Sequence, residues 1–320
     1  MPPIKVENVR VDEIVSNVLL ARTNADMYLA DIFLPTIRVK NDSGDVAQWG
    51  DAHMRSYDLK RSLHDTSLHY VEAEIGDTIK YQIEYFDATH KVVNRLVEQA
   101  EDPFNLFAQY AISAREIVKL NRDIALATQL TSTAVLTNNE TLVGTSQWSD
   151  TTNSTPKTQI DGAIDTVELA IGKEANSIYM SKSVATKLRN HPDYINLYNG
   201  SNGTVPGGVP QTAFVQLMKD AHGFENVFIG KTVKITSKKG QTVTRDYVFG
   251  KDCVVFYRAA APAIMEPSFG YSFVPSTGGL KTKTWFDEDS QLFYKVQAAL
   301  PFDDKILMPD AAFLFKNAIA

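Results

Sequence analysis

The sequence predicts an α+β chain, and three stretches carry that reading. Ile79, Tyr81, Ile83 and Tyr85 alternate with Lys80, Gln82 and Glu84, the period of two of a strand with one wet face. Phe104, Phe107, Tyr110, Ala111, Ala114, Ile117, Val118, Ile124 and Ala125 recur at helical spacing and mark one long helix. From Pro156 onward helical and strand patterns alternate, and the last fifth of the chain returns to β character.

Val9 to Leu20 spaces Val11, Ile14, Val15, Val18 and Leu19 as one amphipathic helix, and Leu34-Pro35 ends that section because a residue before proline avoids the α region. Residues 36–86 read as a long twisted β-hairpin: Ile37 to Lys40 alternates, Asn41 to Asp45 is a turn cluster, and the strand at Ile79 to Tyr85 returns. Between them Arg55 to Ser67 is polar and basic, with Arg55, Lys60 and Arg61, and holds too few apolar residues for a core. An isolated hairpin is marginal in water, so this one must lie against something, and a neighbouring copy of the chain is a natural surface.

The pattern predicts helix over 88–131. Asp102 caps and Pro103 takes the first helical position of a rod of roughly 40 Å, a spine rather than a filler. Thr, Asn, Ser and Gly crowd 137–156 and mark a boundary. A helix follows over Pro156 to Ile171, then a strand over Ser177 to Met180. Ser181 caps a helix that stops at His191-Pro192, and the stretch from Asn199 through Gly208 makes a flexible loop. A helix over Gln211 to Ala221 ends at Gly223. Strands are expected at Val227 to Ile229, Thr232 to Thr236, Thr242 to Phe249 and Val254 to Tyr257, with Lys238-Lys239-Gly240-Gln241 as a hairpin turn. Ser290 to Ala299 alternates in part, and Ile306, Leu307 and Ala311 to Phe315 close the chain.

With 320 residues, 44% hydrophobic and 22% charged, the chain has the composition of a globular protein of about two domains, which excludes disorder, collagen and coiled coil as its main state. A net charge of -6 argues against electrostatic grip on nucleic acid. Cys253 alone permits no internal disulfide and suits a reducing compartment. No apolar run is long enough to span a bilayer, and Met1 to Glu7 lacks a signal core, so a soluble protein made in a cytoplasm is expected.

The motifs of catalysis are mostly missing. Gly230-Lys231-Thr232 has the tail of a phosphate loop, but Glu225 stands where the first glycine belongs and a strand follows, so a turn between strands is the better reading. The glycines at 200, 203, 207 and 208 fit no dinucleotide fingerprint. The six histidines, His53, His64, His69, His90, His191 and His222, form no metal motif and read as polar surface residues. Asp287-Glu288-Asp289 and Asp303-Asp304 lack calcium-loop spacing and read as solvated edges. Cys253 sits beside Val254 and Val255 as a core residue, and no GxSxG elbow occurs. No catalytic residue, metal ligand or cofactor is assigned.

Four segments, in this order, resemble the major capsid (head) protein of tailed bacteriophages, whose fold is shared with encapsulins and herpesvirus shell floors. Tyr81-Gln82-Ile83-Glu84-Tyr85 is similar to the return of the family's hairpin, its E-loop. Trp148-Ser149-Asp150 with Pro156 and Ile160 resembles the lead-in to the apical domain. Leu188-Arg189-Asn190-His191-Pro192 resembles a recurrent helix end, and Pro267 to Phe273 a recurrent strand. The likeness runs from about residue 20 to the end. It implies an N-terminal arm (1–35), an E-loop (36–86), a peripheral domain with the spine helix (87–150), an axial domain (151–265) and return strands completing the peripheral domain (266–320).

The resemblance further implies a non-enzymatic subunit that self-assembles into homo-hexamers and homo-pentamers of an icosahedral virion shell around double-stranded DNA. Assembly would take place in the host bacterial cytoplasm, with a portal, a decoration protein and no membrane. Many relatives begin with a long helical scaffolding segment that is removed; here residues 1–35 precede the hairpin, so either a separate scaffolding protein serves the shell or the chain is already mature. Arg55, Lys60 and Arg61 would meet acidic groups of a neighbour, with Glu98, Glu101 and Asp102 as candidates. The competing readings are an encapsulin-like compartment holding enzyme cargo and a soluble α/β enzyme.

Overall fold

The computed structural model describes residues 28–49, 56, 60, 75–98, 103–202, 208–238, 240–261, 268–287 and 292–320. The helix expected over Val9 to Leu20 and most of the expected hairpin tip lie outside them.

One strand, β13 (Phe293–Ile306), organises half of the molecule. It pairs antiparallel with β4 (Glu84–Val93) on one side and with β12 (Lys281–Phe286) and then β11 (Gly270–Pro275) on the other. β1 (Thr36–Val39) joins parallel to β11 and completes five strands. Val296, Ala298 and Leu300 are buried at the period of two that a sheet requires. Residues 88–93 are strand, where helical periodicity was expected to begin, because β4 finds ten consecutive partners on β13. Pairing overrides a weak local preference. The alternation from Ile79 also breaks at Ile83: β3 (Ile75–Gln82) ends before it and β4 starts after it, so Tyr85 is 60% exposed.

A short helix, α1 (Leu29–Phe33), precedes β1, and α2 (Asn94–Glu98) follows β4. The spine helix, α3 (Pro103–Leu130), is 28 residues and therefore about 42 Å long, and lies across β13 and β4. Its buried face runs through Ala111, Ala114, Arg115, Val118, Asp123, Leu126, Ala127 and Leu130. Ile117 and Ala125, expected on that stripe, sit on its exposed flank, and charged residues take part of the buried face.

The second sheet has the order β5 (Asn139–Thr141), β14 (Ala312–Lys316), β10 (Cys253–Phe256), β6 (Ser177–Ser181), β7 (Asn226–Gly230). β6 and β10 are buried at every position, as strands covered on both faces must be. Four helices accompany this sheet: α4 (Pro156–Ile171), α5 (Lys182–Leu188), α6 (Pro192–Asn202) and α7 (Gln211–His222). Their ends follow local chemistry. Pro156 opens α4, Ser181 Oγ accepts the Val184 N–H, and Gly172 and Gly223 take the left-handed conformation that terminates α4 and α7. Residues 199–202, expected in a loop, extend α6.

The largest core cluster joins this sheet to the N-terminal segment. Phe33 of α1 stacks on Phe256 at 4.3 Å and tilts against Tyr179 and Phe269. Two ribbons stand outside both sheets: β2 (Ser43–Trp49) with β3, and β8 (Val233–Ile235) with β9 (Arg245–Tyr247). β8 and β9 are shorter than the runs expected there. Among the described residues no helix is long and apolar enough to cross a membrane.

Candidate assembly surfaces

The β2–β3 ribbon is rooted, not free. Its root cluster consists of Ile83, Tyr271, Phe273 and Leu307 with Ile37, Val39, Val46, Ile79 and Tyr81 packed on it. Tyr81 stacks on Phe273 at 4.6 Å, nearly parallel. Across the ribbon from Tyr81 is Gly44, where a Cβ would come within 2.7 Å of the tyrosine hydroxyl; glycine gives the ring its place. The Ile83 N–H donates to the Asp42 carbonyl at 2.8 Å, and the Gln82 N–H to Asp303 Oδ2 at 2.8 Å.

Asp303 and its neighbour Asp304 are not a solvated edge. Asp304 accepts two hydrogen bonds from Arg122 of the spine, from Nε at 2.7 Å and Nη2 at 2.6 Å. The same guanidinium donates to Ser272 Oγ at 2.7 Å, lies 4.4 Å from the Phe302 ring and faces Asp31 at 3.9 Å. Both members of the Arg122–Asp304 pair are 11% exposed. Consecutive residues of β13 thus tie the ribbon's root through Asp303 and the spine through Asp304. Beside them a cleft of about 150 Å³ opens between Glu84, Phe86, Arg122, Gln129 and Phe302.

Asp123, next on the spine, is fully buried. Its carboxyl faces the backbone N–H groups of Leu29 and Ala30, and burial pushes it up to about 7. Nearby, Tyr28 donates to Glu116 and its ring lies 4.3 Å from Lys119 Nζ, so α1 is docked on the spine by polar as well as apolar contacts.

Two histidines expected at the surface are buried pins. His191 Nδ1 accepts the Asp193 N–H at 3.3 Å, which leaves Nε2 to donate to Ser154 Oγ at 3.1 Å. His222 Nδ1 meets Asp161 Oδ1 at 2.6 Å and its Nε2 meets the Tyr194 hydroxyl at 3.1 Å. A proton on Nδ1 satisfies all three groups and ties α4, α6 and α7 together. Burial lowers the His222 pKa against the pull of Asp161. Cys253 lies in the core, and burial pushes its thiol far above the usual range, away from nucleophilic use. Among the described residues no cluster of three or more His, Cys, Asp or Glu converges as a metal site would.

Of the charged residues expected at an interface, Lys60 and Glu98 are described and exposed; Glu98 accepts from Asn94 Nδ2 at 2.9 Å. Arg55, Arg61, Glu101 and Asp102 lie outside the described residues. Sequence reasoning missed Arg122 and misread Asp304 as solvated; the signal was the cation at position 122, a helical turn from the buried Val118 and Leu126 and so beside the covered face of the spine.

No protein-family model matches the chain. A major capsid protein of Pseudomonas phage JBD67 is 28% identical over 193 residues, 57% of this chain and 56% of that protein, so the chain matches little more than half the length of this curated relative. Solved structures align along nearly the whole chain. A phage-related protein from Bordetella bronchiseptica superposes with a TM-score of 0.72 at 19% identity, over 97% of this chain and 98% of that one. A virus-like particle from Pyrococcus furiosus gives 0.59 at 12% identity, over 95% and 99%. The capsid of Cyanophage P-SCSP1u gives 0.54 at 12% identity, over 89% and 85%. The ribbon rooted on β11 and β13, the spine helix and the two five-stranded sheets thus make up the α+β fold of phage major capsid proteins, and this chain has that fold.

Proposed function

We propose that the chain is the structural subunit of an icosahedral phage head, non-enzymatic, self-assembling into hexamers and pentamers that enclose double-stranded DNA. The observation that carries this reading is the sequence match to a phage major capsid protein in a chain that has the shell fold along its length. In this reading residues 1–35 are the arm, 36–86 the E-loop, 87–150 and 266–320 the peripheral domain and 151–265 the axial domain. Arg55, Lys60 and Arg61 of one copy meet Glu98, Glu101 and Asp102 of another. Exposed pairs are weak singly but recur at every subunit. The virion is the destination, and a portal, a scaffolding protein and a decoration protein are the partners, with assembly in the host cytoplasm.

The acidic net charge supports a lumen that does not cling to its genome. Negative-stain microscopy of the purified protein tests the reading: closed shells support it, and a monomer at all concentrations overturns it. Arg61→Glu is expected to lower particle yield while the subunit stays folded; normal yield refutes that pairing. The fold match to a virus-like particle from Pyrococcus furiosus favours a second reading, an encapsulin-like compartment. Particles carrying an enzyme rather than DNA would select it.

A further inference from the structure

Two exposed patches beside the second sheet are complementary in charge and both carry bare apolar side chains. The first is the β8–β9 ribbon. Val233 and Ile235 lie on one face, Ile235 is 61% exposed, and Val243 is exposed on the returning strand's approach. Arg245 sits directly across from Ile235. Residues 231–245 hold Lys231, Lys234, Lys238, Lys239 and Arg245 in a chain of net charge -6, and the ribbon's one carboxylate, Asp246, lies across from Lys234 on the face opposite Ile235 and Arg245. A two-stranded ribbon with a wet apolar face is marginal by itself.

The second patch is the outer face of α4. Asp165, Glu168 and Leu169 fall at i, i+3 and i+4 and therefore on one side of the helix, all three exposed, beside Asp161, which is held by His222. Leu169 is 84% exposed, more than any other large apolar side chain among the described residues. The patches do not meet within one chain. α4 packs on β10 and β14, whereas the ribbon continues from β7, the edge strand of that sheet. Among the described residues, no ion pair engages Lys231, Lys238, Arg245, Asp165 or Glu168.

We propose that the β8–β9 ribbon of one copy docks on the outer face of α4 of the next, with Ile235 and Val233 over Leu169 and the ribbon's cations against Asp165 and Glu168. The occupant is a second copy because the complementary charge and the bare leucine are both on this chain. The contact is heterologous: every copy offers a ribbon and receives one, so repetition by rotation closes a ring. It rests on the shell-subunit reading and specifies which surfaces close a capsomer.

The test is a disulfide between copies. The one native thiol, Cys253, is buried. Ile235→Cys with Leu169→Cys is expected to give, on mild oxidation of assembled protein, a covalent ladder reaching five or six subunits, while each single variant stops at dimer. In parallel, Asp165→Lys with Glu168→Lys is expected to cut particle yield at least tenfold. Adding Lys238→Glu with Arg245→Glu to that chain restores it, since each reversed ribbon then meets a reversed helix. Wild-type shells together with no ladder and undiminished yield from the reversed helix overturn this contact and leave the shell reading standing. A wild-type protein that stays monomeric overturns the shell reading and this contact with it.

Discussion

Arg122→Met isolates the joint between the spine helix and β13. Methionine keeps an apolar stem beside Phe302 but removes the guanidinium. The Asp304 carboxylate, 11% exposed, then loses both of its hydrogen bonds from Arg122, and the buried Ser272 hydroxyl loses a donor. Removing one partner of a buried pair costs about 3–5 kcal/mol. The residual exposure places this site near the lower end, about 3 kcal/mol. Unfolding entropy scales as roughly 2.1 cal/mol/K per residue. For 320 residues the loss then corresponds to a fall of about 4–5 °C in Tm if the subunit melts as one unit. The assay is thermal denaturation of the purified protein at low concentration followed by circular dichroism. Arg122→Met combined with Asp304→Leu is expected to cost less than the sum of the two single changes, because the second change removes the stranded charge. A shift below about 1 °C, the scale of an exposed ion pair, or strict additivity refutes the joint.

Other expectations follow from buried titratable groups and close contacts. Asp123 binds its proton more tightly in the fold, about 7 against an ordinary 3.8, so its stabilising contribution is complete below 3.8 and is lost as pH rises through 7. Asp123→Asn is therefore expected to out-melt the native subunit at pH 8 and to match it near pH 4; a constant gap across that range contradicts the burial argument. His222 has the opposite sense. Its pKa lies below the ordinary 6.5, so its contribution is complete above 6.5 and is lost as pH falls through the lowered value. His222→Ala is expected to cost about 1–3 kcal/mol at pH 8 by stranding the fully buried Tyr194 hydroxyl. Urea denaturation measures it, and the loss should shrink when Tyr194→Phe is added. Gly230→Ala would set a Cβ 1.8 Å from the buried Tyr179 hydroxyl, so a loss of about 1–3 kcal/mol is expected. That loss should be smaller in a Tyr179→Phe background, and equal losses in both refute the clash.

Where local chemistry decides, the sequence was legible. α4 has the bounds its proline and periodicity predict, α7 ends at its glycine, Ser181 caps α5, and Gly230-Lys231-Thr232 is a turn between strands. Where a distant partner decides, it was not. Residues 88–93 read as the start of a helix until β13 supplies ten pairing positions. Asp303 and Asp304 read as wet because their partners, Gln82 and Arg122, are 221 and 182 positions away. His191 and His222 read as surface polar groups because Ser154, Tyr194 and Asp161 reach them only when three helices pack. The fold class was readable from element order and the candidate joint was not, since periodicity registers which face is covered and not which charge waits opposite.

Cryo-electron microscopy of the purified protein tests the central claim most directly. Closed icosahedral particles are expected, with the β2–β3 ribbon rooted on β11 and β13 of its own subunit and extending over an adjacent copy. A solitary subunit whose residues 50–74 fold back onto its own body, at every concentration and salt, would contradict it.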